Sequence, residues 1–125
     1  MNNPEVTMHD EQQSTRFNAL EKATTAAGIA ISLVMRIPTP LKPIADQVIR
    51  SASSVPANLA EGAGRSGRDR TYHYRIAYGS AKEVDTHLRL LIGAGAVTAS
   101  SAENAIRLFD DVRAMTWRLL HPKAS

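Results

Sequence analysis

Apolar residues recur at steps of three and four along four stretches of the chain, and proline or glycine marks each break between them. A polar opening, residues 1–13, precedes the first stretch and is expected to be a flexible leader. Ser14 and Thr15 offer hydroxyl caps, after which Phe17, Leu20, Ala23 or Thr24, Ala27, Ile31 and Val34 fall on one helical face. Pro38, Pro40 and Pro43 stop this helix, because proline lacks the N–H that the α ladder needs. Pro43 suits the first turn of a second helix, whose apolar face is Ile44, Val48, Ala52 or Val55, and Leu59. Pro56 inside that pattern predicts a kink or local break near Ala52 to Val55. The glycine-rich run Gly62-Ala63-Gly64-Arg65-Ser66-Gly67 ends the helix.

A third helix, from Arg68 or Asp69, carries Tyr74, Ala77, Ala81, Val84, Leu88 and Leu91 before Gly93-Ala94-Gly95 caps it. The fourth starts near Ser100, with Glu103 at capping-box spacing. It presents Ala105 or Ile106, Phe109, Val112, Thr116 and Leu119 or Leu120, and ends before Pro122. No segment alternates as a half-buried strand does. Short connections between amphipathic helices favour an all-α, antiparallel up-down four-helix bundle over residues 14–121, with 122–125 as a tail.

The 125 residues fit one domain with a core of its own. Cysteine is absent, which removes disulfides, thiolate metal sites and thiol nucleophiles. The opening residues lack the apolar run of a secretory signal, and the low-charge stretch from Ala23 to Met35 is too short to span a bilayer. A soluble cytoplasmic protein with no membrane partner is expected. The net charge is +3, and 11 of the 15 basic residues are arginine, whose planar fork of donors matches phosphate oxygens.

Gly62-x-Gly64-x-x-Gly67 matches the dinucleotide fingerprint in letters, but it follows a helix where the fingerprint needs a strand and a βαβ unit. A helix–helix turn is the plainer reading. Arg65, Arg68 and Arg70 flank that turn, and Arg75 follows, so this segment is the candidate phosphate or nucleic-acid site. Tyr72, Tyr74 and Tyr78 interleave with these arginines. Tyr74 and Tyr78 are read as packing residues. Glu83 and His87 are four apart, where a di-iron bundle needs two Glu-x-x-His pairs and further glutamates, so no metal and no cofactor is expected. Ser80 sits in no nucleophile elbow, and no catalytic residue is expected. Gly79, in the middle of the third helix, predicts close approach of another helix or of another subunit. Trp117, Ile106 and Leu120 in the fourth helix and Ile76 and Leu90 in the third form extra apolar lines, which suggest a surface buried against another copy.

The segment Ser54-Val55-Pro56-Ala57-Asn58-Leu59-Ala60-Glu61-Gly62-Ala63-Gly64-Arg65 resembles the signature of the four-helix bundle protein family, also called the ribosomal-RNA intervening-sequence protein family. Ile76-Ala77-Tyr78-Gly79-Ser80-Ala81-Lys82-Glu83, with Leu88 following, fits as well. The resemblance implies a left-turning bundle that assembles into a ring-like homopentamer. It also implies relatives encoded in intervening sequences of large-subunit ribosomal RNA genes, or acting as accessory proteins of diversity-generating retroelements that contact the reverse transcriptase and nucleic acid. No enzymatic activity is attached to the family. Its motif positions fall here on Pro56, Asn58, Glu61, Gly62, Arg65, Gly79, Ser80 and Glu83, with an architectural role. In that role Asn58 donates to a carbonyl freed by Pro56, and Glu61 and Glu83 pair with Arg65 or accept from Ser80. The chain departs from the family in its longer polar leader, its proline-rich connector and its paucity of lysine.

The expectation is therefore a non-catalytic, homo-oligomeric bundle that binds RNA or DNA through arginine-rich surface, as an accessory factor to an RNA- or reverse-transcriptase-containing complex. The alternative is a scaffold or adaptor for a protein partner with no nucleic-acid role. Clustering of Arg65, Arg68, Arg70 and Arg75 on one face of the oligomer favours the first, and their use in intersubunit ion pairs with Glu61, Asp69 or Asp85 favours the second.

Overall fold

The computed structural model describes residues 7–123, which form four α-helices: α1 (Met8–Val34), α2 (Lys42–Ala63), α3 (Gly67–Gly93) and α4 (Ala99–Leu120). A single 3-10 turn (Thr39–Leu41) fills the proline-rich connector, and no strand occurs among the described residues. Each helix packs against two neighbours, α1 on α2 and α4, and α3 on α2 and α4. Cross-helix contacts run in opposite chain directions. Met8 and Thr15 share a hollow with Trp117 and His121, while Lys22, further along α1, pairs at 3.3 Å with Asp111, nearer the start of α4. No helix of the described residues is long and apolar enough to cross a membrane.

The start of α1 differs from the expectation. Residues 8–13 are helical, and Thr7, not Ser14 or Thr15, is the cap. The Thr7 hydroxyl accepts from the Asp10 N–H at 3.1 Å, and the Asp10 carboxylate accepts in return from the Thr7 N–H at 3.3 Å. This reciprocal pair satisfies two donors that a helix start leaves free, and two acidic residues in the first turn suit the helix dipole. A polar composition therefore concealed two turns of helix. Residues 1–6, the rest of the expected leader, lie outside the described residues.

The other ends follow similar chemistry. Pro43 occupies the first turn of α2, where its missing N–H costs nothing. α2 runs on through Pro56, so the local break expected near Ala52 to Val55 is absent. One proline removes one ladder bond, and burial of Ala52, Val55 and Leu59 on both sides of it holds the helix together. Gly95, just past the end of α3, has φ +77°, the left-handed conformation that glycine adopts without strain. α4 is capped by Thr98, whose hydroxyl accepts from the Ser101 N–H at 3.1 Å, in place of the Ser100 and Glu103 capping box.

The core is made of the stripes that the periodicity predicts in α2, α3 and α4. All six expected α3 residues are buried, as are Val48, Ala52, Val55 and Leu59 of α2 and Ala105, Phe109, Val112 and Thr116 of α4. α1 differs. It turns Ala19, Ala23, Ala26, Ala27 and Ala30 inward, leaves Leu20 and Ile31 half-buried, and exposes 60% of Phe17. Alanines let neighbouring helices approach closely, and that surface wins over the larger side chains.

Two glycines of the motif differ in their surroundings within the chain. Gly79 is exposed, and a Cβ built there would meet nothing within 4 Å. No helix of this chain approaches it. Gly62 is buried, and a Cβ there would stand 2.5 Å from Cε1 and 2.7 Å from Cδ1 of the buried Tyr74. Gly62→Ala is thus expected to destabilise the fold by about 1–3 kcal/mol through overpacking. Gly79→Ala should stabilise it by roughly 0.5–1 kcal/mol through helix propensity. Urea denaturation of the two variants should move the midpoint in opposite directions.

Candidate nucleic-acid interface

The motif residues form the seam between α2 and α3. Going down α2 and up α3, Gly62 meets Tyr74, and the Asn58 Oδ1 lies 2.9 Å from the His73 Nδ1. Ser80 donates to the Ser54 hydroxyl at 2.9 Å, and Arg50 donates to the Glu83 carboxylate at 2.6 Å. The Asn58 amide also donates to the Ser54 carbonyl at 2.9 Å and to its hydroxyl at 3.0 Å. Because the amide carbonyl can only accept, His73 carries its proton on Nδ1.

Two of the expected pairings change here. The carbonyl freed by Pro56 belongs to the residue four before it, Ala52, whereas Asn58 serves Ser54. Glu83 pairs with Arg50, one helix away, and with neither Arg65 nor Ser80. Of the remaining motif residues, Pro56 lies half-buried within α2, while Gly79 stays outside the seam on the exposed face of α3.

The four candidate arginines divide into two pairs. Arg65 donates to Glu61 at 2.9 Å and lies 4.0 Å from Asp69, all within one chain. Hydrogen bonding to the Arg65 guanidinium, and then its charge, hold the Glu61 carboxyl below its ordinary range. Arg70 turns back onto the end of α2. Its Nε donates to the Gly62 carbonyl at 3.1 Å, which also accepts from the Arg65 N–H at 3.1 Å, and its Nη2 donates to the Ala63 carbonyl at 3.4 Å at the helix end. The turn between is a plain helix–helix connection, with Gly67 at φ +59° opening α3. Arg68 and Arg75 are exposed and form no hydrogen bond or ion pair among the described residues. Asp85, the third acid considered, pairs with Arg89 at 3.0 Å, so this ion pair too is internal.

Arg68, Tyr72, Arg75, Gly79 and Lys82 follow one another at steps of four and three and are all exposed, so they form one line on the outward side of α3. Its cations recur every seven residues, about 10 Å apart. Tyr72 stands between the first two, with 62% of its surface exposed. Lys82 lies 5.7 Å from the Tyr78 ring centroid and continues the line into a groove of about 650 Å³ between α3 and α4, lined also by Arg113, Trp117 and Arg118. The sequence reading missed Lys82, Arg113 and Arg118. Tyr78 and Lys82, and Arg113 and Trp117, stand four apart on their helices, but only the packing of α3 on α4 brings the two pairs together.

Among the described residues no group of three His, Cys, Asp or Glu is placed to hold a metal ion. His87 and Glu83 sit on the α2-facing flank of α3, half-buried. Of the extra apolar lines, Ile106 and Leu120 pack against the core, whereas Leu90 and Trp117 remain half exposed.

The profile of the 23S rRNA-intervening sequence protein family matches residues 17–118, nearly the whole described chain, and the chain belongs to that family. Among solved structures, it is similar to a protein of unknown function from the S23 ribosomal protein family of Bacteroides thetaiotaomicron. That likeness has a TM-score of 0.78 at 21% identity and covers 86% of this chain and 98% of the other. It is a likeness of fold. No curated protein matches the chain.

The division of the arginines has a direct consequence. Arg70→Ala should lower stability by about 1 kcal/mol, because the Ala63 carbonyl loses its side-chain donor and the Gly62 carbonyl keeps only the Arg65 N–H. Arg68→Ala should leave it within about 0.5 kcal/mol, as expected of an exposed side chain without partners. Thermal melts of both variants check this.

Proposed function

We propose that this member of the 23S rRNA-intervening sequence protein family is a non-catalytic, homo-oligomeric bundle that binds nucleic acid along the outward face of α3. The observation that supports the reading is the line of Arg68, Arg75 and Lys82, three cations without acidic partners, with exposed Tyr72 between the first two. Such spacing suits a run of phosphates, and guanidinium groups left free of carboxylates keep their donors for phosphate oxygens. The family's description, which ties its members to 23S rRNA intervening sequences, favours RNA.

Self-association is supported by a different helix. Between Ala23 and Met35 the chain holds no ionisable residue. The outer side of α1 here exposes Thr24, Thr25, Gly28, Ser32 and Met35, and a Cβ at Gly28 would meet nothing within 4 Å. A long uncharged helical face with small residues at steps of four suits close packing against another copy, and repetition of the α3 line in each copy would add weak contacts together.

Light scattering at micromolar concentration should give a mass about five times the chain's 13.6 kDa, and Gly28→Glu should reduce it while leaving helical content intact. A monomeric wild type would overturn the oligomer. Retardation of structured RNA is expected at about 50 mM salt, with affinity falling steeply by about 200 mM as counterions are released. Arg68→Ala/Arg75→Ala should flatten the slope of log affinity against log salt by roughly 1.4–1.8, two phosphate contacts' worth, with mass unchanged. Absence of retardation of both RNA and duplex DNA at low salt would favour the adaptor reading, in which exposed Tyr72 and Leu90 meet a protein partner.

A further inference from the structure

Trp117 is the chain's single tryptophan, lies in the last turn of α4, and exposes half of its surface. A half-exposed indole offers a flat apolar face to a ligand. It does not stand alone. His121 stacks on it with ring centroids 4.2 Å apart and planes 22° from parallel. The His121 Nδ1 is 2.9 Å from the Trp117 carbonyl, which can only accept, so the imidazole donates to the helix end and is held flat against the indole.

Trp117 lines two hollows at once. On one side is the groove of about 650 Å³ shared with Tyr78 and Lys82 of α3 and Arg113 and Arg118 of α4. On the other is a hollow of about 290 Å³ between the end of α4 and the start of α1, with Glu11, Arg118, His121 and Lys123 in its wall. Around the two, the cations Lys82, Arg113, Arg118 and Lys123 face the carboxylates Asp110 and Glu11. Asp110 is already bonded to Arg113. Lys82, Arg118 and Lys123 have no acidic partner among the described residues. An exposed, pre-stacked aromatic pair ringed by free cations is complementary to a flat base carried on an anionic backbone.

We infer that Trp117 and His121 form a stacking platform for an unpaired base of a bound nucleic-acid strand, with Lys82, Arg118 and Lys123 holding the adjoining phosphates. The inference rests on the nucleic-acid reading above and adds to it the single-stranded character of the segment bound here. Base stacking tolerates any sequence, since every base has a π-face, but it requires a base free of its duplex neighbours.

The lone tryptophan reports on its own site. Full-length protein is titrated at about 50 mM salt with single-stranded oligo(U), with duplex RNA of the same length and with base-free polyphosphate, and tryptophan emission and retardation are followed together. Oligo(U) should quench the emission strongly, while duplex and polyphosphate should leave it nearly unchanged even where they bind. Trp117→Ala should weaken oligo(U) binding about tenfold, Trp117→Phe should restore most of it, and the duplex affinity of both should stay within about twofold of wild type. If oligo(U) is retarded without quenching and Trp117→Ala binds it like wild type, the platform is overturned and the nucleic-acid reading stands. If no nucleic acid is retarded, both fail. A change in the mass of Trp117→Ala by light scattering would place the indole in a contact between copies and overturn the platform.

Discussion

The arrangement of this bundle depends on one close approach, that of the Tyr74 ring to the missing side chain of Gly62. The ring occupies the space a methyl group would need, at 2.5 Å from where that carbon would stand. Tyr74 is buried, its hydroxyl has no partner among the described residues, and burial pushes its phenol above the ordinary range. Packing, not hydrogen bonding, therefore holds it. This contact brings the start of α3 onto the end of α2, where Arg70 reaches the last carbonyls of α2. It also sets a register in which Asn58 meets His73, Ser54 meets Ser80, and Arg50 meets Glu83. A half-buried polar seam of this kind contributes modest net energy for each bond but penalises any slip, since each displaced donor would lose its acceptor.

The same register decides which arginines remain available to a ligand. Four of them cluster within 11 residues of sequence, yet two are committed. Arg65 answers Glu61, an exposed pair whose contribution to stability is small. Arg70 closes a helix end, a task that leaves few donors for phosphate. Arg68 and Arg75 remain and align with Lys82, which lies outside the arginine cluster in sequence. The basic surface is thus smaller in arginine than composition suggests, and longer. It continues across Tyr78 to Arg113, Trp117 and Arg118 of α4.

What the sequence by itself determined is whatever depends on neighbours along one helix. The α3 stripe from Tyr74 to Leu91 was legible in full, because a period near 3.6 that sorts apolar from charged residues leaves one way for a helix to face its core. Helix stops at Pro38 and near Gly64 and Gly95 were legible for the same local reason, and the motif that marks the family lies within two adjacent helices. Even local signals were misjudged where two competed, as at Thr7, whose capping box with Asp10 was hidden by a polar opening.

Only the tertiary structure decided the questions that involve a second helix. In α1 alanines and larger apolar residues both recur at helical steps, so periodicity could not choose between Phe17 and the alanines. The close packing of α2 and α4 chose Ala19, Ala23, Ala26, Ala27 and Ala30. Gly62 and Gly79 look alike in sequence, each inside a motif, and differ because Tyr74 stands over one and nothing stands over the other. Arg68 and Arg70 are two residues apart and therefore point to different sides of α3, one to water and the other back to α2. Distances between helices depend on how side chains of distant sequence interlock, and one chain's periodicity carries no record of its partner's register.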